Sequence, residues 1–107
     1  MPKGILECTE AEFDSTLAVN LKSCFNYIHA IAPIMLKQAG GGRIVNVAAR
    51  PALEWRSGAG MTAYAIAKAG VAALTVALAE EVANDGILVN AVAPSIMYTP
   101  ANRKAMP

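Results

Sequence analysis

The sequence predicts an α/β fold in which helix, strand, helix and strand follow one another as one piece of a doubly wound parallel sheet. Three observations carry this. Two short runs, Arg43 to Val47 and Ile87 to Val92, are rich in Val, Ile and Leu without regular polar alternation, the pattern of strands covered on both faces. Between them lies a helical stretch, Met61 to Ala83, long enough for the crossover that parallel pairing requires, and such crossovers are right-handed. Each strand follows glycine, Gly40-Gly41-Gly42 or Gly86, which supplies the positive-φ freedom that ends a helix.

Thr9-Glu10-Ala11-Glu12 has the spacing of a capping box, so a helix is expected to begin near residue 10. Phe13, Leu17, Leu21, Phe25, Ile28, Ala32 and Leu36 then recur at steps of three or four and form one apolar stripe, which Pro33 should kink or divide. The second helix stops at Asn84-Asp85-Gly86, and its alanines permit close approach of neighbours all round. A helix apolar on every side is buried on every side, so one face should cover the sheet and the other should meet another helix. Two parallel strands make a marginal sheet. The chain therefore reads as a single partial domain, residues 1–107, whose sheet is completed by oligomerisation, with strand exchange favoured at its exposed edge.

Composition narrows the function classes. With 107 residues there is room for one domain or part of one. Hydrophobic residues make up 55% and charged ones 16%, and the mean hydropathy is +0.39, which argues against disorder and for a partner surface. Nine Lys and Arg against eight Asp and Glu are scattered rather than clustered, so no nucleic-acid face is expected. Cys8 and Cys24 show neither a disulfide framework nor a zinc spacing, and His29 lacks nearby ligands, so no metal site is expected. The N-terminal segment has no secretory h-region and the uncharged apolar stretch Ala69 to Ala79 is short of a bilayer span, so the expected location is cytoplasmic without membrane association.

The sharpest chemical feature is Tyr64-Ala65-Ile66-Ala67-Lys68, an i,i+4 pair that puts phenol and ammonium on one helix face. A free phenol titrates near pH ~10 and a cation beside it favours the phenolate, so such a pair can pass a proton to a developing alkoxide. Tyr-x-x-x-Lys also arises by chance on surface helices, so the spacing alone decides little. Its setting adds weight, because ligands of parallel α/β sheets bind beyond the carboxyl ends of the strands. Those ends here are Asn46-Val47-Ala48-Ala49-Arg50 and Ala91-Val92-Ala93-Pro94-Ser95. Gly58-Ala59-Gly60-Met61-Thr62-Ala63 matches G-x-G-x-x-A but does not follow a strand directly, so it reads as a flexible loop before the helix rather than a dinucleotide site.

Strand end, Tyr-x-x-x-Lys helix and second strand end together resemble the C-terminal half of a classical short-chain dehydrogenase/reductase, with a partial Rossmann-like sheet. Ala18-Val19-Asn20-Leu21 is similar to the segment carrying that family's catalytic Asn, and Val89 to Ser95 to its next strand and Pro-Gly turn, with Ser95 in place of Gly. The resemblance implies catalytic roles for Tyr64, Lys68 and Asn20. It further implies NAD or NADP contacts at Ala48, Tyr64, Lys68, Pro94, Ser95, Ile96 and Thr99, hydride transfer to a carbonyl- or imine-like small-molecule substrate, and a homo-oligomer built on the two long helices. Two departures stand out. Ala48 and Ala49 occupy the place of the family's Ser, leaving Ser57 and Thr62 as hydroxyls in the following loop, and the Gly-rich half that receives the pyrophosphate is expected to be absent. The run from Thr99 to Pro107 is similar to dihydropteridine reductase, a member that works with Tyr and Lys without the usual Ser. Three readings stay open: a truncated reductase, a catalytically silent module acting through helix-mediated dimerisation, and a fragment or rebuilt pocket with non-redox activity. Trp55, Met61, Arg50 and Arg56 are possible pocket lining or ordinary loop residues.

Overall fold

A computed structural model describes residues 3–94. Helix α1 spans Glu10–Leu17, a π-helical turn follows over Ala18–Lys22, and α2 runs Ser23–Leu36. Strand β1 is Gly42–Val47, the short helix α3 is Arg50–Leu53, and a 3-10 turn covers Trp55–Gly58. Helix α4 spans Thr62–Glu81 and strand β2 Ile87–Val92. The strands pair in parallel, Gly42 with Ile87 through Val47 with Val92, so the expected helix-strand-helix-strand order and parallel pairing are present.

Thr9 caps α1 as its spacing predicts: its hydroxyl accepts from the Glu12 amide, and the Glu12 carboxylate accepts from the Thr9 amide. The long helix is not interrupted where Pro33 suggested. The helix runs on through Pro33 to Leu36, although Pro33 offers the His29 carbonyl no N–H. The interruption is the π turn, and polar side chains take up its loosened carbonyls. Asn20 Nδ2 donates to the Thr16 oxygen at 3.0 Å, Ser23 Oγ to Val19 at 2.6 Å, and the Cys24 thiol to Asn20 at 3.8 Å. That turn also re-phases the apolar stripe. Leu21, Cys24, Ile28, Ala32 and Met35 pack inward, whereas Phe25 and Leu36, expected on the stripe, are exposed.

The core is one layer of helix on one layer of sheet. Ala63, Ala67, Val71, Thr75 and Leu78 form the buried face of α4, and Ile28, Ile44, Leu78, Val82, Ile87 and Val89 close one cluster. The strands are not covered on both faces as the sequence suggested. Ile44 and Val89 are buried on the α4 side, while Val45 is 61% and Leu88 55% exposed on the other, with Val47 and Val92 beside them. The described chain supplies helices to one face only, so apolar side chains chosen for a doubly covered sheet stand open. Helix α4 shows the same split: Ile66 and Val76 are exposed on its outer side. Its 20 residues and mean hydropathy of 1.6 would satisfy a membrane span by length and composition, but its inner face is committed to β1, β2 and α1.

Candidate active site

Tyr64 lies in the first turn of α4 and Lys68 one turn further on, both partly buried. The Lys68 ammonium is 5.7 Å from the centre of the Tyr64 ring and donates to the Val47 carbonyl at 2.9 Å. The i,i+4 pair thus faces the carboxyl end of β1. That end remains joined to β2 past the last sheet pair, because the Ala48 amide donates to Val92 at 2.8 Å and the Arg50 amide to Pro94 at 3.2 Å. Ala48, Pro94, Tyr64 and Lys68 therefore gather along one edge of the sheet. Ser95, Ile96 and Thr99 lie outside the described residues, as does the run from Thr99 to Pro107.

Asn20 arrives from the other side. The π turn packs on α4 at Gly70, where an added Cβ would come within 2.8 Å of a Leu21 methyl. This close approach sets Asn20 and Tyr64 into one cleft of about 350 Å³, with Thr16, Met61 and Ala63 on its walls. Lys3, Cys8 and Glu12 form the remaining side.

The strongest ionic contact of the cleft is Lys3 Nζ to Glu12 Oε2 at 2.6 Å. The Lys3 ammonium and the Thr9 amide hold the Glu12 carboxyl down to about 2, and Glu12 in turn raises Lys3. Sequence reasoning missed this wall. Its only trace there was the capping box, which fixes where α1 begins and leaves unsaid that residues 3–8 fold across to α4.

Other expected contributors fall elsewhere. The Ser57 hydroxyl donates to the Glu54 carbonyl at 2.7 Å, so it does not replace the missing Ser. Thr62 uses its amide at the start of α4, donating to the Lys3 carbonyl. Trp55 is exposed, and Arg50 pairs with Glu54 at 2.9 Å. Met61 does line the cleft. The Gly58–Gly60 stretch is a series of tight turns, with Ala59 donating to Arg56 and Met61 to Gly58, rather than a loose loop. His29 is exposed and stacks on Phe25.

The parallel strand pair with a long helix packed on it agrees with what comparison with known proteins finds. The chain matches the short chain dehydrogenase family over residues 1–107 and belongs to that family of oxidoreductases. It is 47% identical over 97 residues to (2S)-[(R)-hydroxy(phenyl)methyl]succinyl-CoA dehydrogenase subunit BbsD of Thauera aromatica, covering 91% of this chain and 38% of that one. It is 39% identical over 100 residues to 3-oxoacyl-[acyl-carrier-protein] reductase FabG of Thermotoga maritima, covering 94% and 39%. Among solved structures, a putative short-chain dehydrogenase/reductase from Burkholderia xenovorans superposes with a TM-score of 0.87 at 33% identity, covering 98% of this chain and 39% of the other. The chain thus spans less than two fifths of the length of these relatives.

Proposed function

We propose that this chain carries the proton-handling half of an NAD(P)-dependent short-chain oxidoreductase acting on a carbonyl-bearing small molecule, of the kind found in an acyl chain. The observation that carries the reading is the single cleft holding Asn20 and Tyr64, with Lys68 anchored at the adjoining end of β1. In this role the Tyr64 hydroxyl gives its proton to the substrate oxygen, or takes it back in the reverse direction. Lys68 keeps two ammonium hydrogens free of Val47, a donor set suited to ribose hydroxyls. Asn20 positions water or Lys68 from the π turn. The hydride would come from, or go to, a nicotinamide held beside these residues. The residues here suit its ribose end: short side chains at Ala48 and Ala49 and the Lys68 ammonium lie together at the carboxyl end of β1. Among the described residues no Gly-rich turn follows a strand directly, so the pyrophosphate end lacks a cradle in this segment. Names of the relatives favour a 3-oxoacyl or 3-hydroxyacyl compound as the substrate.

A second copy is the partner that this reading includes. An apolar groove between α2 and α4, with Ile28, Ala32, Leu74 and Ala77 among its walls, would receive the same groove of a two-fold related chain. The second reading, a silent module that acts by association alone, draws on the Ala48-Ala49 pair in the place of the family's Ser.

Calorimetric titration of the chain with NADH and NADPH separates the two. Binding that is weakened by Tyr64→Phe/Lys68→Ala, together with turnover of a 3-oxoacyl thioester that Tyr64→Phe lowers by roughly 10²–10⁴-fold, is the expected result. A folded chain that binds neither nucleotide would leave the silent module.

A further inference from the structure

Lys3 touches both sides of the cleft at once. Its side chain binds Glu12 on α1 at 2.6 Å, and its backbone carbonyl accepts from the amide of Thr62 at 3.2 Å. That amide is the first of α4, two residues before Tyr64. As one of the first amides of the helix it has no intrahelical carbonyl to bond, so the partner it needs comes from a distant segment. Residues 4–8 close a turn directly after this point, with the Glu7 and Cys8 amides donating to Gly4. Cys8 and Lys3 then stand on the same wall of the cleft.

We infer that the Lys3–Glu12 ion pair is a strap that holds residues 3–8 across the cleft and, through the Lys3 carbonyl, fixes the start of α4 and with it the Tyr64 phenol. Lys3 is a positioning residue: it acts on the proton donor through the backbone of Thr62. An ordinary exposed pair contributes little, but this one is built unlike an isolated surface pair. Glu12 is already held in place by the capping box, its other oxygen bound to the Thr9 amide, so little side-chain freedom is left to lose. Both partners show the coupling, the carboxyl lowered to about 2 and the ammonium raised. The inference rests on reading the cleft as the active site, but the contact it describes can be tested without turnover.

The test is amide hydrogen exchange by NMR on the full chain, with tyrosine labelled on the ring, in wild type, Lys3→Met, Lys3→Arg and Glu12→Gln. Glu12→Gln retains an acceptor for Thr9 and removes the charge pair. In Lys3→Met and Glu12→Gln the Thr62 amide should exchange about tenfold faster, the loss of one backbone hydrogen bond, and the Tyr64 ring signals should shift. Val71 and Thr75 amides should keep their protection, and Lys3→Arg should restore Thr62. Unchanged exchange at Thr62 in Lys3→Met would overturn the strap, and so would equal losses at Thr62, Val71 and Thr75, which report global loosening. Failure of the chain to oxidise NADPH while Thr62 responds as expected would remove the catalytic reading and leave the strap standing.

Discussion

A buried hydrogen bond ties helix α4 to strand β1. Asn46 Nδ2 on β1 donates to Thr75 Oγ1 at 2.9 Å, and that hydroxyl donates to Val71 within α4 at 2.8 Å. Both residues are 7% exposed. Replacing Thr75 by Val should therefore cost about 1–3 kcal/mol in urea unfolding, because the Asn46 amide stays buried without its acceptor. The double variant Asn46→Leu/Thr75→Val should recover most of that loss, since no orphaned polar group remains. At this scale the Tyr64–Lys68 pair was legible in the sequence, because both residues belong to one helix and its period fixes their relation. The Asn46–Thr75 bond was not legible, as 29 residues separate its ends and no local pattern relates a strand position to a helix position.

Among the elements, α1 depends on Glu12 twice, through the Thr9 cap and through Lys3. Its carboxyl titrates at about 2 in the folded chain against 4.5 unperturbed. The lowered value means that its contribution is complete above pH 4.5 and is lost as pH falls through about 2. Carboxyl-carbon NMR should find Glu12 still ionised at pH 3.5, and Lys3→Met should move its titration upward. Gly41 makes the other sharp demand. Its φ is +69°, and a Cβ there would come within 2.0 Å of the Gly86 oxygen, in the two loops that lead into the paired strands. Gly41→Ala should destabilise by more than about 2 kcal/mol in the same unfolding assay, since left-handed strain and a backbone collision act together. Element order was legible from periodicity, and β2 begins and ends at the residues expected. The π turn was not, since its stripe steps of four look like an ordinary helix until packing shows which way Cys24 and Phe25 turn.

For the molecule as a whole, the described residues form an α/β layer in which one sheet face is exposed. Apolar residues stand exposed on that face, Val45, Val47, Leu88 and Val92, and on the outer side of α4, Ile66 and Val76. If the α2–α4 groove pairs with its own copy, Ala77→Arg should shift the chain to a monomer in sedimentation velocity while leaving its helical circular dichroism unchanged. A monomeric wild type at micromolar concentration would remove that partner.

The sequence by itself determined the class of fold, the parallel strand order, the cap of α1 and the family, because each rests on local spacing or on ordered motifs along one chain. Tertiary structure decided which strand face is buried, where the long helix widens, that Lys68 ends on Val47, and that Lys3 and Glu12 wall the cleft of Asn20 and Tyr64. These are contacts between segments far apart in the chain, fixed by how α4 lies on the sheet, and hydrophobic periodicity specifies only that such a face exists.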